Sequence, residues 1–103
     1  MNVNLSFGTD QALISLRGRF DFSSRLDFKQ GCTTALEKPA IRELVIDMRE
    51  LEYLDSAALG MLLLLNDKGA CDNKLITLRV RAGIVCEILR ISKFDKLFKF
   101  EQT

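Results

Sequence analysis

The side chains able to do chemistry are few, and those at promising positions are carboxylates and one hydroxyl. Asp55-Ser56 stands directly before the apolar run Ala57 to Leu65, Asp47 comes at the end of the run Leu44-Val45-Ile46, and Asp21 follows Gly18-Arg19-Phe20. A serine in such a place can accept a phosphoryl group, and an aspartate can act as an acid or base or pair with a cation. Histidine is absent. That removes Ser-His and Cys-His nucleophile pairs, an imidazole base and His metal ligands, and with them the common hydrolase mechanisms. The six glycines stand too far apart for a phosphate-cradling G-x-G-x-x-G or G-x-x-x-x-G-K loop. The expectation is a chain with no catalytic residue, no metal and no cofactor.

The elements that position these residues follow from periodicity. Val3, Leu5 and Phe7 alternate with polar neighbours, Gly8-Thr9-Asp10 supplies turn residues, and Ala12, Ile14 and Leu16 alternate again, which predicts a β-hairpin. Ser24 stands three residues before Asp27 like a capping pair, and Phe28, Cys32, Ala35 and Leu36 repeat at helical spacing up to Pro39. The nearly continuous apolar run Leu44 to Met48 predicts a central strand covered on both faces. A second helix is expected from Ala57 to about Gly69, with Leu59, Leu62 and Leu63 on its inner face and apolar residues almost all round its first half. Ile76, Leu78 and Val80 mark a further strand, and Ile84, Val85, Ile88 and Leu89 one face of a short helix. Phe94, Leu97, Phe98 and Phe100 close the chain, with room for an edge strand.

The order ββαβαβα(β) predicts an α/β domain over residues 1–103, a mixed sheet of four to five strands with a parallel portion and helices packed on it. A chain of 103 residues, 48% apolar and 28% charged, suits one core and leaves little material for walls around a deep cavity. The formal charge is +1, with acidic and basic residues interleaved, so no nucleic-acid arm is read. Arg79, Arg81, Arg90, Lys93, Lys96 and Lys99 make the last quarter locally basic, but no aromatic residues alternate with them as a stacking surface for nucleic acid requires; they read as a solvated face. No secretion signal or membrane-length apolar run is seen, and Asn4-Leu5-Ser6 is read as a chance sequon. Cys32, Cys71 and Cys86, odd in number and well separated, are read as buried thiols in a reducing compartment, which predicts a cytoplasmic protein.

Working residues of open α/β sheets gather where strands end and helices begin, and Asp55-Ser56 occupies such a junction. Two local readings stay open. Either residue can serve as an ordinary N-cap, at about 1 kcal/mol, or Ser56 can be a functional hydroxyl. Small Ala57 and Ala58 suit close approach by a partner and equally suit a helix.

The segment Tyr53-Leu54-Asp55-Ser56-Ala57-Ala58-Leu59-Gly60-Met61-Leu62 resembles the signature of the STAS domain found in anti-sigma factor antagonists and sulfate transporters. Leu16 to Asp21 resembles the loop that ends the family's second strand, Leu44 to Leu51 its central strand, and Ile88 to Phe100 its closing segment. The resemblance implies an anti-sigma factor antagonist, phosphorylated at Ser56 by an anti-sigma factor that is itself a serine kinase and reset by a serine phosphatase of the metal-dependent type. It also implies that Asp21, Asp55, Ser56, Ala57 and Ala58 contact the partner. Ala57 and Ala58 depart from the Ser or Thr and Gly often found there, although Ser56 remains the only hydroxyl between Tyr53 and Thr77. Asp21 can equally be a turn-ordering residue. The chain stops shortly after the place where many relatives add a last helix, which leaves two readings open, exposure of Phe98 and Phe100 or an edge strand free to pair, and the protein is expected to be a monomer or weak homodimer.

Other classes compete. A receiver-like domain would be phosphorylated on Asp47, a STAS module could regulate a partner other than a sigma-factor system, and an enzyme could use Asp47 or Asp55 as acid or base.

Overall fold

In β1 (Asn2–Phe7) and β2 (Gln11–Phe20) apolar residues alternate with polar ones, so Val3 and Leu5 face Leu16 and Ile14 across an antiparallel ladder on one side of the sheet. The turn closes with the Gly8 N–H donating to the Gln11 carbonyl at 2.7 Å. The computed structural model describes all 103 residues, Met1–Thr103. After the hairpin come α1 (Arg25–Leu36), β3 (Glu43–Leu54), α2 (Ser56–Cys71), β4 (Leu75–Val80), α3 (Ile84–Ile91), the single turn α4 (Phe94–Leu97) and β5 (Lys99–Gln102). The strands lie in the order β1-β2-β3-β4-β5, antiparallel in the hairpin and parallel elsewhere. The mixed sheet and its central β3 are therefore as the periodicity predicts, with α4 and β5 completing the last segment.

Cover of β3 differs from expectation. Leu44, Ile46 and Met48 share one continuous core with buried side chains of α1, α2 and α3, among them Phe28, Leu62 and Leu89. Val45 and Asp47 point to the opposite face and lie outside that core. Val45 is buried by its place in the middle of the sheet, between its register partners Leu13 and Thr77. A central strand can thus look two-sided in sequence while the helices cover only one face.

α2 turns a different face inward from the one predicted. Ala58, Leu62, Leu65 and Gly69 are buried, whereas Leu63 is exposed and Leu59 half-buried. Gly69 sets this rotation, because a Cβ there would come within 2.7 Å of the Ile76 side chain on β4. Ile84 of α3 also faces water, its inner face being Val85, Cys86 and Leu89. Phe98 is buried against Phe94, ring centroids 5.6 Å apart, contrary to the reading in which it is exposed, and Phe100 is half-buried. Cys32 and Cys86 are buried free thiols, but Cys71, at the end of α2, is exposed.

Candidate functional site

β2 and β3 are parallel neighbours whose last residues, Phe20 and Leu54, are register partners, so Asp21 and Asp55 leave the sheet side by side. The Asp55 N–H donates to the Phe20 carbonyl at 3.2 Å and ties the two exits together. The stretch that resembles a loop after β2 is strand up to Phe20. It is bent by register shifts flanking Arg17-Gly18, and Gly18 has φ +96°, a conformation that favours glycine.

Asp55 is the N-cap of α2. Its backbone is extended, and Oδ1 accepts the Ala58 N–H at 2.9 Å while its carbonyl accepts the Leu59 N–H at 3.1 Å. Ser56 is then the first helical residue, exposed, with its hydroxyl outside the cap. The first amides of a helix have no intrahelical acceptor, so the start of α2 presents N–H donors beside the Ser56 side chain. Ala57 is half-buried, and Ala58 is fully buried in the core, without surface to offer a partner.

Asp21 caps the short 3-10 turn Phe22–Ser24: its Oδ1 accepts the Ser23 N–H at 3.0 Å and the Ser23 hydroxyl, and its own N–H donates to Ser24 Oγ at 3.4 Å. The hydroxyl bond from Ser23 holds the Asp21 carboxyl below its usual range. Ser24, expected to cap α1 with Asp27, makes no such bond. Its hydroxyl is drawn back to the Arg19 carbonyl at 3.2 Å because the preceding turn already orders the chain. Arg19 lies over the ring of Tyr53, its partner across the ladder, at 4.2 Å.

Asp47 is placed elsewhere. It sits inside β3, seven residues before Leu54 and so about 23 Å along the strand at ~3.3 Å per residue, not at a strand end as a receiver acceptor requires. Arg49 grips it through Nε at 2.9 Å and Nη2 at 2.8 Å, and its backbone N–H adds a third bond at 3.1 Å. Burial pushes the Asp47 pKa up, but the hydrogen bonds and charge of Arg49 outweigh it and leave the carboxyl below its ordinary value. Asp47 and Asp55 are thus too far apart for paired acid–base work, and no group of His, Cys, Asp and Glu is arranged to hold a metal ion.

Sequence reasoning missed the Arg19–Tyr53 stack, which needs the β2–β3 register, and the exposure of Phe22, Leu26 and Leu64 beside the site. The last had a signal, since a helix apolar on more than one face has apolar side chains left over for something else.

Fold and site together define a single α/β domain with an exposed serine at a capped helix start, at the carboxyl ends of the parallel strands of a mixed sheet. The chain belongs to the STAS domain family: the family described as "Mlab, STAS domain" matches residues 3–99. It is 47% identical over 88 residues to a STAS-domain containing protein of Pseudomonas aeruginosa (strain UCBPP-PA14), covering 84% of this chain and 83% of that protein. Among solved structures, an anti-sigma factor antagonist from Mycobacterium paratuberculosis superposes with a TM-score of 0.87 at 19% identity, over 99% of this chain and 86% of that one. The Bacillus cell fate determinant SpoIIAA in its phosphorylated form gives 0.76 at 14% identity, over 99% and 91%. At these identities the structures share the fold.

Proposed function

We propose that this chain is an anti-sigma factor antagonist, a binding module switched by phosphorylation of Ser56. The observation that carries the reading is the division of labour at the start of α2: Asp55 alone makes the cap, which leaves the adjacent Ser56 hydroxyl exposed for modification. The unphosphorylated module binds an anti-sigma factor that is a serine kinase. A metal-dependent serine phosphatase removes the phosphate. The surface is Asp21, Asp55, Ser56 and Ala57; Ala58 supports it from the core. The protein works in the cytoplasm as a monomer or weak homodimer, and by binding rather than by catalysis. No helix is long and apolar enough to cross a membrane.

Phosphate on Ser56 takes the formal charge from +1 to roughly −1 and places a dianion beside Asp55. The free amides and dipole of the helix start accommodate it within the folded domain. A partner packed against α2 must instead desolvate it, and docking fails unless that partner brings cations.

Incubating the chain with its cognate anti-sigma serine kinase and ATP, followed by peptide mapping, tests the reading. Because Ser56 is the only hydroxyl between Tyr53 and Thr77, the modified position is unambiguous. One phosphate on the wild type and none on Ser56→Ala is expected; full phosphorylation of Ser56→Ala removes the reading.

A further inference from the structure

α1 and α2 lie side by side with a cleft of about 660 Å³ between them, floored by Phe28, Cys32, Leu36 and Leu65. Its borders are apolar side chains standing in water: Leu26 and Leu64 are 67% and 70% exposed, and Phe22 is 60% exposed. α2 is the source of the surplus, because its buried side uses Ala58, Leu62, Leu65 and Gly69, while Met61 and Leu64 turn toward the cleft. A surface helix with one apolar stripe satisfies the fold, and the second stripe is left without a partner.

The charge around the cleft has one sign. Arg25 and Lys29 border it from α1 and Lys68 from α2, and no Asp or Glu lines it. Lys29 enters no ion pair, Arg25 rests on the Phe22 ring at 4.4 Å, and Lys68, its side chain largely exposed, forms an i,i+4 ion pair with Asp72 at 3.4 Å that a partner carboxylate must share. Both long borders therefore present cations above an apolar floor.

We infer that the α1/α2 cleft is a docking groove for an acidic amphipathic helix of a partner protein, its apolar stripe on the floor and its carboxylates against Arg25, Lys29 and Lys68. The shape selects a helix over a small amphiphile. The exposed apolar residues stand on both borders, Leu26 on α1 and Leu64 on α2; a single acyl chain on the floor would leave them in water, whereas a helix laid between α1 and α2 covers both. α2, at 16 residues, is about 24 Å long, enough to seat several turns of a partner helix. This inference does not depend on phosphorylation of Ser56.

The test uses the full chain, labelled with 15N, and three probes: a helical peptide with an apolar stripe flanked by Glu, the same stripe flanked by Lys, and dodecanoate. The Glu peptide is expected to shift amides of α1 and α2 saturably, with affinity that weakens with added salt and by about tenfold in Leu64→Asp or Leu26→Asp, whose side chains already face water. The double variant Lys29→Glu/Lys68→Glu should reverse the preference toward the Lys peptide, which separates groove recognition from loss of folding. The titrations use unmodified chain with no kinase present, so a failure here is distinct from a failure of the phosphorylation reading. Equal binding of both peptides, saturation by neither, shifts outside the groove, or displacement of the Glu peptide by dodecanoate at lower concentration overturns the inference; the last makes the cleft a small-amphiphile site.

Discussion

Asp55 Oδ1 accepts the Ala58 amide at 2.9 Å, and this one bond separates the duties of two adjacent residues, the cap at Asp55 and the free hydroxyl at Ser56. Asp55→Ala is expected to lower stability by about 1 kcal/mol and Asp55→Asn by less, since an amide oxygen can still accept. Ser56→Ala, on an exposed side chain, should change stability by no more than about 0.5 kcal/mol. Urea unfolding of the three variants checks the order; a larger loss for Ser56→Ala than for Asp55→Ala reverses the assignment.

Two glycines of α2 should respond oppositely to alanine. Gly60 has open space where a Cβ would stand, so Gly60→Ala is expected to stabilise by about 0.5–1 kcal/mol through helix propensity. Gly69 is blocked by Ile76 at 2.7 and 2.9 Å and by the Lys74 carbonyl at 3.3 Å, so Gly69→Ala forces β4 and α2 apart and should cost about 1–3 kcal/mol. Thermal unfolding distinguishes the two signs directly.

Acid sensitivity should come from the polar face of the sheet. Glu43 is held below its ordinary 4.5 chiefly by the hydroxyl of Thr77, and Asp47 below its ordinary 3.8 because Arg49 outweighs burial. A depressed carboxylate contributes stability above its unfolded value and loses it as pH falls through the folded one. Unfolding free energy is therefore expected to drop as the pH is taken from about 5 to about 2, and to drop less steeply in Asp47→Asn. With no histidine in the chain, it should be nearly flat between about pH 6 and 8.

The three thiols should be distinguishable by alkylation. Cys71 is exposed and is expected to react first with iodoacetamide at mildly alkaline pH. Cys32 is buried, and burial raises its pKa to about 12, so it should react only on unfolding, as should buried Cys86. Mass spectrometry of partly modified protein reads the order, and early labelling of Cys32 contradicts the packing of α1 on the sheet.

Much of the architecture was legible because short-range patterns encode it. Alternation marked β1, β2 and β4, and the nearly continuous apolar run Leu44 to Met48 marked β3. The helical repeat of Phe28, Cys32, Ala35 and Leu36 identified the buried face of α1 correctly. The inner face of α2 was not legible, since leucines lie on several sides and only the close approach of Gly69 to Ile76 selects the rotation. Ser24 was misread for a related reason: its hydroxyl has a nearby carbonyl acceptor, that of Arg19, which a spacing rule does not weigh.

The hairpin, the strand and helix order, and the junction where Asp55 and Ser56 meet α2 are readable from local pattern, because each rests on neighbours a few residues apart. Tertiary structure alone decided that Asp21 and Asp55 leave the sheet together, that Ala58 is core rather than surface, and that Asp47 is gripped by Arg49 far from the α2 start. It also decided that Met61 and Leu64 of α2 line one wall of a cation-bordered groove. Register and helix rotation are set by packing between segments distant in the chain, and a linear pattern does not record which of several apolar faces finds the core.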